Sequence, residues 1–320
     1  MSLLEKYQTF LILLAVGLGL LLGQLPFIGH HAENLIIPCL VFMLYGLFLN
    51  IPLHQFKAAF RNIKFLGLSS ILNFLWTPLL AWFLGWIFLA DHPALWIGFI
   101  MLMVTPCTDW YLMFTGIAKG NVALSASILP VNLVLQVLLL PVYLMIFAGT
   151  IQTIPLATLT ESVLVVLVIP FVLAHTTRFL LRNKESILNN KLGPFFSSAQ
   201  IIFLCLAILA MFASQGSILV DNVGAIYVLI LPVLLYFGIN FIVGLLTGKL
   251  FRLPSADAIS LNLTIVARNS PVALAIAVTA FPDQPLISLA LVVGPLIELP
   301  VLAVITQGLL SLYHNKKQKA

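Results

Sequence analysis

Two short polar stretches, each containing a proline, interrupt segments that are otherwise apolar: 105–108 (Thr-Pro-Cys-Thr) and 268–271 (Arg-Asn-Ser-Pro). A proline removes a backbone donor and breaks or kinks a helix, so Pro106 and Pro271 are the predicted helix-break residues. In hydrocarbon, the backbone groups freed by a break are tolerated where they face a polar cavity. The two stretches therefore predict a binding site for a polar solute, with simple proline kinks as the alternative.

Two ionisable side chains at the breaks, Asp109 and Arg268, lie within these apolar segments, and a third, Glu298, lies in the apolar segment that follows the second. A charge at the bilayer centre costs at least about 2.5–3.5 kcal/mol on insertion scales, so each needs a cavity or a counter-ion. Arg268 could orient an anionic solute, or it could lock two spans together in a buried ion pair with Glu298 or Asp109. Desolvation favours the neutral form of Glu298, whereas a nearby arginine favours its carboxylate. This balance suits proton coupling, so Asp109 and Glu298 are the predicted coupling residues. Capping of backbone donors beside Pro295 and Pro300 is the alternative role for Glu298.

The remaining candidates are neutral. Cys107 is the only cysteine at a break, and a soft thiolate is the ligand that a thiophilic metalloid would select. A buried cysteine can also be a small hydrophobic residue, and both interpretations stay open. With Cys107 and Arg268, the predicted substrate-binding residues are those that could hydrogen-bond a hydroxylated solute: Thr108, Asn132, Asn269 and Ser270. Asn73 and Asn240 lie within spans and are expected to join helices by hydrogen bonds.

The composition places these residues in a membrane protein. Of the 320 residues, 62% are hydrophobic and 8% are charged, whereas a soluble domain carries roughly a quarter of charged residues. The mean hydropathy is +1.14. With about 20 apolar residues per crossing, hydropathy predicts an all-α polytopic fold with ten transmembrane helices, at 8–27, 34–51, 65–90, 94–117, 122–148, 159–181, 195–213, 224–248, 258–281 and 286–312.

The distribution of basic residues predicts the topology. Fourteen of the fifteen lysines and arginines fall in alternate connections or near the termini, and the fifteenth is Arg268. By the positive-inside rule, both termini are cytoplasmic in a multi-pass protein of the cell (plasma or inner) membrane. The pI of 9.2 then reflects topology. Membrane lipid is the expected partner, and nucleic acid is not.

Corresponding features recur at one offset in the two halves of the chain. Pro106 and Pro271 are 165 positions apart, and so are Pro130 and Pro295. Because predicted spans 4 and 9 run in opposite directions, the copies are inverted. Inverted repeats with a matched pair of interrupted spans indicate a secondary transporter site near the midplane. We predict one transmembrane domain over 1–320, with two inverted five-helix repeats (about 1–150 and 155–320) and interrupted crossing helices 4 and 9.

The breaks and two further stretches carry a resemblance to a known family. Pro106-Cys107-Thr108 and, ten residues later, Lys119-Gly120-Asn121 are similar to the Pro-Cys-Thr and Lys-Gly-Asp motifs of the arsenite efflux permeases. Asn132 falls on their span-5 asparagine, and 292–301 follows their Val-Val-Gly-Pro-Leu-Val-Glu-Val-Pro-Val segment. These permeases are part of the bile acid:sodium symporter superfamily. The resemblance implies a ten-span transporter that expels arsenite.

The departures from the family concern coupling. The resemblance to the permeases implies transport by proton exchange. The permeases carry an Asn-Asp pair in span 5, where this chain has Asn132-Leu133. They also carry an acid after the span-9 break, where this chain has none. In the sodium-coupled members, a span-9 glutamate and glutamine fall on Thr264 and Arg268. A guanidinium is permanently protonated and would repel the ion. Sodium coupling is therefore not expected, and Arg268 could be a fixed cation in its place.

We therefore expect an arsenite or antimonite (or similar small oxyacid) efflux permease that works by alternating access. The alternative is a transporter of a small organic anion of the bile acid:sodium symporter type, with Arg268 as the anion-binding cation. Enzymatic activity is not expected, since the sequence lacks His-Glu-x-x-His, Gly-x-Ser-x-Gly and nucleotide-binding motifs. A small-molecule or metalloid substrate is the expected partner, no cofactor or bound metal is expected, and a homodimer is left open.

Overall fold

A computed structural model of the chain describes residues 8–50, 60–108, 110–147, 149, 168–182, 187–222 and 224–314. The helices are, in chain order, α1 (Gln8–Leu22), α2 (Pro26–His31), α3 (Glu33–Asn50), α4 (Ile63–Phe88), α5 (Pro93–Met103), α6 (Trp110–Ile117), α7 (Val122–Ile146), α8 (Ile169–Leu180), α9 (Gly193–Asp221), α10 (Gly224–Leu250), α11 (Ser255–Val266), α12 (Ser270–Ala280) and α13 (Pro285–His314). A helix satisfies its own backbone groups, as hydrocarbon requires. Across these ranges no strand forms beyond one isolated bridge, so the predicted all-α class is confirmed.

Six of the described helices are long and apolar enough to cross a membrane, namely α3, α4, α7, α9, α10 and α13. Four shorter apolar helices, α1, α5, α11 and α12, coincide with predicted spans 1, 4 and 9. Predicted span 6 begins at 159, and its residues 159–167 lie outside the described residues. The chain is thus a multi-pass membrane protein. The count of ten spans and the inverted repeat stay predictions.

Two segments predicted as loops contain helix. The connection between predicted spans 1 and 2 contains most of α2, which begins at Pro26 because the fixed φ of proline suits the first helical position. The predicted loop 214–223 is helical as far as Asp221. There the Ser214 hydroxyl donates to Ala210 O over 2.9 Å, a local bond that keeps a polar side chain satisfied on a helix. Hydropathy marks the length of chain in hydrocarbon and does not mark where a helix ends.

The chain forms two compact units, and the first takes the described residues of Met1–Ile51, Ile154–Ala225 and Pro271–Val292. In this unit α9 packs against α1 and α3, and α3 packs against α8. Glycine permits the contact of α1 with α9, since a Cβ atom at Gly23 would lie 2.5 Å from the Ala213 carbonyl oxygen. Small residues at such contacts let helix backbones approach closely in a membrane.

The second unit takes the described residues of Pro52–Thr153, Ile226–Ser270 and Val293–Ala320, which include every described candidate-site residue other than Pro271. In this unit α7 packs against α5, α6 and α11, and against Leu72–Trp76, a π-helical segment within α4. Trp76 Nε1 donates to Asn240 Oδ1 over 3.0 Å. This bond joins α4 to α10 and confirms the predicted helix-joining role of Asn240.

Candidate functional site at two paired helix breaks

The two predicted helix breaks exist, and their backbones are hydrogen-bonded to each other. One break separates α5 from α6, and the other separates α11 from α12. Pro106 and Arg268 form an antiparallel bridge. The Cys107 N–H donates to Ala267 O over 3.1 Å, and the Asn269 N–H donates to Thr105 O over 2.7 Å. Buried backbone groups need partners, and here each break supplies them to the other.

Arg268 places its guanidinium group where α5 and α11 both end. Nη1 donates to Met103 O over 2.9 Å, Nε donates to Val266 O over 3.2 Å, and Nη2 donates to Ile265 O. These carbonyls belong to the last turns of α5 and α11. The C-terminus of a helix carries partial negative charge and unpaired carbonyls. The guanidinium therefore neutralises two helix ends at once.

Two further residues complete the surroundings of this guanidinium. Nη2 also donates to Asn73 Oδ1 over 3.1 Å, and Asn73 lies in the π-helical segment of α4. The Tyr236 ring lies 5.5 Å from the guanidinium carbon, and its hydroxyl donates to Met103 O over 3.1 Å. A guanidinium has five N–H donors, and the four bonds to protein acceptors use four of them. Arg268 is 1% exposed, so its charge is neutralised within the protein.

Glu298 contacts the same break from α13. The backbone N–H of Arg268 donates to Glu298 Oε1 over 2.7 Å, just before α12 begins at Ser270. The N-terminus of a helix carries partial positive charge, and a carboxylate there is stabilised. Glu298 is 3% exposed. Glu298 thus caps a backbone donor, as in the alternative to proton coupling, but this donor belongs to the break at Arg268 and not to the segment beside Pro295 and Pro300. Proton coupling stays a prediction.

The neutral candidates divide into those at the breaks and one on α7. Asn269 Nδ2 donates to Thr108 Oγ1 over 3.0 Å, so these two predicted substrate-binding side chains are in contact. Cys107 is buried between Pro106 and Thr108, and Ser270 is buried at the start of α12. Pro271 is the second residue of α12. Asn132 is buried on α7, and Asp109 lies outside the described residues.

A second contact fixes α11 at its other end. The turn between α6 and α7 places Lys119 at φ 59°, and the Gly120 N–H donates to Thr115 O over 2.8 Å, as in a Schellman helix ending. Asn121 then caps α7 and meets α11, because its Nδ2 donates to Asp257 Oδ1 over 2.9 Å. Ser260 Oγ donates to Asn121 O over 3.0 Å. Helix α11 is thus held at its first turns as well as at the break.

The sequence did not identify all of these partners. Nothing in the sequence marks Tyr236 as a site residue, because it lies in an apolar span. Its role depends on its contact with Arg268, which is 32 positions away along the chain. Asn73 was expected to join helices and does so through Arg268. Gln136, a buried amide on α7, could have been found by the rule that polar residues within a span are functional candidates. No cluster of three metal-ligating side chains occurs in the part of the chain that the structure describes.

Comparison with known proteins identifies the family. A family model described as the Sodium Bile acid symporter family matches residues 37–222. The chain is 28% identical to the arsenical-resistance protein Acr3 of Corynebacterium glutamicum, over 97% of this chain and 89% of that protein. It is 25% identical to the arsenical-resistance protein Acr3 of Alkaliphilus metalliredigens, over 93% and 90%. An uncharacterized transporter of Synechocystis sp. is 27% identical over 96% and 88%. The predicted resemblance is confirmed.

Proposed function

This chain is a membrane transporter that belongs to the Sodium Bile acid symporter family, and we propose that it expels arsenite or antimonite from the cell. The solute is the undissociated hydroxylated acid, and transport proceeds by alternating access around the two interrupted helices. The protein resides in the cell membrane with both termini cytoplasmic. Two relatives that are similar over almost the whole chain are named arsenical-resistance proteins, and this supports the choice of solute.

The observation that carries the proposal is the set of side chains that lie together at the paired breaks. A cysteine, a threonine and an asparagine (Cys107, Thr108 and Asn269) lie within two hydrogen-bonded breaks. A soft sulfur suits trivalent arsenic or antimony, and hydroxyl and amide groups can bond the hydroxyls of the solute. One thiol cannot provide a tight three-sulfur site, which fits a protein that must release its solute.

The position of Arg268 supports transport without sodium. Its guanidinium lies against carbonyl groups at the ends of α5 and α11, where hard oxygen ligands would otherwise suit a small cation. A fixed positive charge repels such an ion, and it permanently neutralises the partial negative charge of these carbonyl groups. We propose that Arg268 replaces a coupling cation and that proton exchange, through Glu298 and Asp109, drives efflux.

The organic-anion alternative needs guanidinium donors that face the solute. An arginine that recognises a carboxylate normally uses two parallel N–H groups. Four of the five donors of Arg268 are engaged with Met103, Val266, Ile265 and Asn73. At most one donor remains for a carboxylate, so the contacts of Arg268 favour the arsenite proposal.

Growth on arsenite tests the proposal. A bacterial strain without arsenite export, expressing this chain, is expected to regain growth on arsenite. The Cys107→Ala variant is expected to lose that growth, whereas Cys39→Ala, a control at a partly exposed cysteine of α3, is expected to keep it. Membrane levels are measured for every variant. A wild-type chain that reaches the membrane and gives no growth contradicts the proposal.

A further inference from the structure

Two buried amides on α7 have no hydrogen-bond partner among the residues that the structure describes. Asn132 is 1% exposed and Gln136 is 0% exposed. Neither polar atom of either side chain forms a hydrogen bond to another described group. The residues are four positions apart on one helix, so the side chains share a face. Four amide atoms are thus buried side by side and unsatisfied.

This arrangement is unfavourable for the folded protein taken by itself. A side-chain amide has two donors on nitrogen and an acceptor on oxygen, and burying it without partners costs free energy that an apolar residue would not. Leucine or methionine would fill the same volume. Local rules of folding tend to be broken at functional positions, and here the rule is broken twice within one helical turn.

The face of α7 that carries the amides is fixed on both sides of them. Seven residues before Asn132, the Ser125 carbonyl accepts from the Tyr111 hydroxyl of α6 over 2.7 Å. Seven residues after Gln136, the Tyr143 hydroxyl donates to Phe74 O, in the π-helical segment of α4, over 2.5 Å. Asn132, Gln136 and Tyr143 follow one another at steps of four and seven, which keep a helical face, whereas the contact at Ser125 holds the backbone of the same helix. The amides lie between these anchors, on a helix that packs against α5, α6 and α11.

We propose that Asn132 and Gln136 together form a hydrogen-bonding position, here called the amide step, that the neutral, hydroxyl-bearing solute occupies during transport. This inference rests on the proposed efflux function. A trihydroxy acid offers both donors and acceptors, and the amides match both kinds. A charged oxyanion cannot donate to the two amide oxygens from its ionised groups and would leave them unsatisfied. The pair therefore selects the undissociated acid. Gln136 is the residue that this proposal adds to the site.

Isosteric apolar variants separate this role from a structural one. Arsenite efflux from cells and the melting midpoint of detergent-purified protein are measured for wild type, Gln136→Met and Asn132→Leu. Each variant is expected to lose about tenfold in efflux rate, as for one lost hydrogen bond, and to melt at the wild-type midpoint or above it. Leu140→Met, one turn further along the same buried face, is the control and is expected to retain efflux.

The possible results point to different failures. Wild-type protein that does not expel arsenite overturns the proposed function, and this inference falls with it. Efflux by wild type and by both variants at equal rates overturns the amide step alone. A lowered melting midpoint in both variants also overturns the amide step, because it shows that the amides stabilise the fold.

Discussion

The backbone N–H of Arg268 donates to Glu298 Oε1 over 2.7 Å, while the guanidinium of the same arginine points at the carbonyls that end α5 and α11. Helix ends carry opposite partial charges. At this break the negative ends of two helices meet a cation, and a backbone N–H two residues before α12 meets a carboxylate. The electrostatics of the interrupted helices are thus satisfied by two side chains of opposite sign.

Removing the cation is expected to destabilise the fold. In Arg268→Met, the carbonyls of Ile265 and Val266 lose a donor, while Met103 O still accepts from the Tyr236 hydroxyl. A buried acceptor left unsatisfied costs about 1–3 kcal/mol. The melting midpoint of purified protein should fall well below that of wild type, whereas Arg61→Met, at an exposed position, should leave it unchanged. Equal midpoints for wild type and Arg268→Met would show that the guanidinium contacts contribute little.

Sodium is expected to stabilise a variant that lacks the fixed charge. Arg268→Gln leaves oxygen atoms facing a site without a cation, and such oxygens are ligands for hard ions. Its melting midpoint should rise in sodium chloride relative to choline chloride, because a ligand of the native state stabilises by mass action. Wild type should show no such difference. An equal response of the two proteins would count against the cation-replacement proposal.

Two substitutions at Glu298 are expected to separate charge from capping. Glu298→Gln keeps an oxygen that can accept from the Arg268 N–H and should melt near the wild-type midpoint. Glu298→Ala removes the acceptor and should cost about 1–3 kcal/mol. If Glu298 carries the exchanged proton, both variants lose arsenite efflux. Efflux by Glu298→Gln at the wild-type rate would restrict this residue to capping.

The contact between Thr108 and Asn269 provides a direct test of the break residues. Thr108→Val removes the acceptor for Asn269 Nδ2 and should lower the rate of arsenite efflux about tenfold, as for one hydrogen bond. Thr115→Val is the control, since among the described residues the Thr115 hydroxyl donates to the carbonyl of Tyr111 in its own helix alone, over 2.6 Å. Equal efflux rates for the two variants would place Thr108 outside the site.

The positions of the breaks could be predicted because their causes are local. Proline within a run of polar residues favours a helix break, and α5 ends at Met103 while α12 begins at Ser270, next to Pro106 and Pro271. Proline alone is not sufficient, since α7 continues through Pro130 and α13 through Pro295. Span boundaries were less accurate, as the helical continuation of α9 to Asp221 shows. A polar segment can extend a helix beyond the apolar run that precedes it.

The partners of Arg268 could not be predicted from the sequence. Met103 and Tyr236 occur in apolar runs with nothing to mark them, and they meet Arg268 only because α5, α10 and α11 are packed together. The sequence suggested ion pairing with Glu298 or Asp109. The backbone of Arg268 bonds to Glu298, and its side chain bonds to carbonyls. Helix-end carbonyls are present in every sequence, so no residue type signals their use as ligands.

Arsenite uptake into inverted membrane vesicles, with sodium present or replaced by choline, tests sodium-independent efflux most directly. Vesicles containing the wild-type chain are expected to accumulate arsenite at the same rate in both media, and vesicles without it should accumulate none. Strict dependence of uptake on sodium, or no uptake in either medium by vesicles that contain the protein, would contradict the proposed transport.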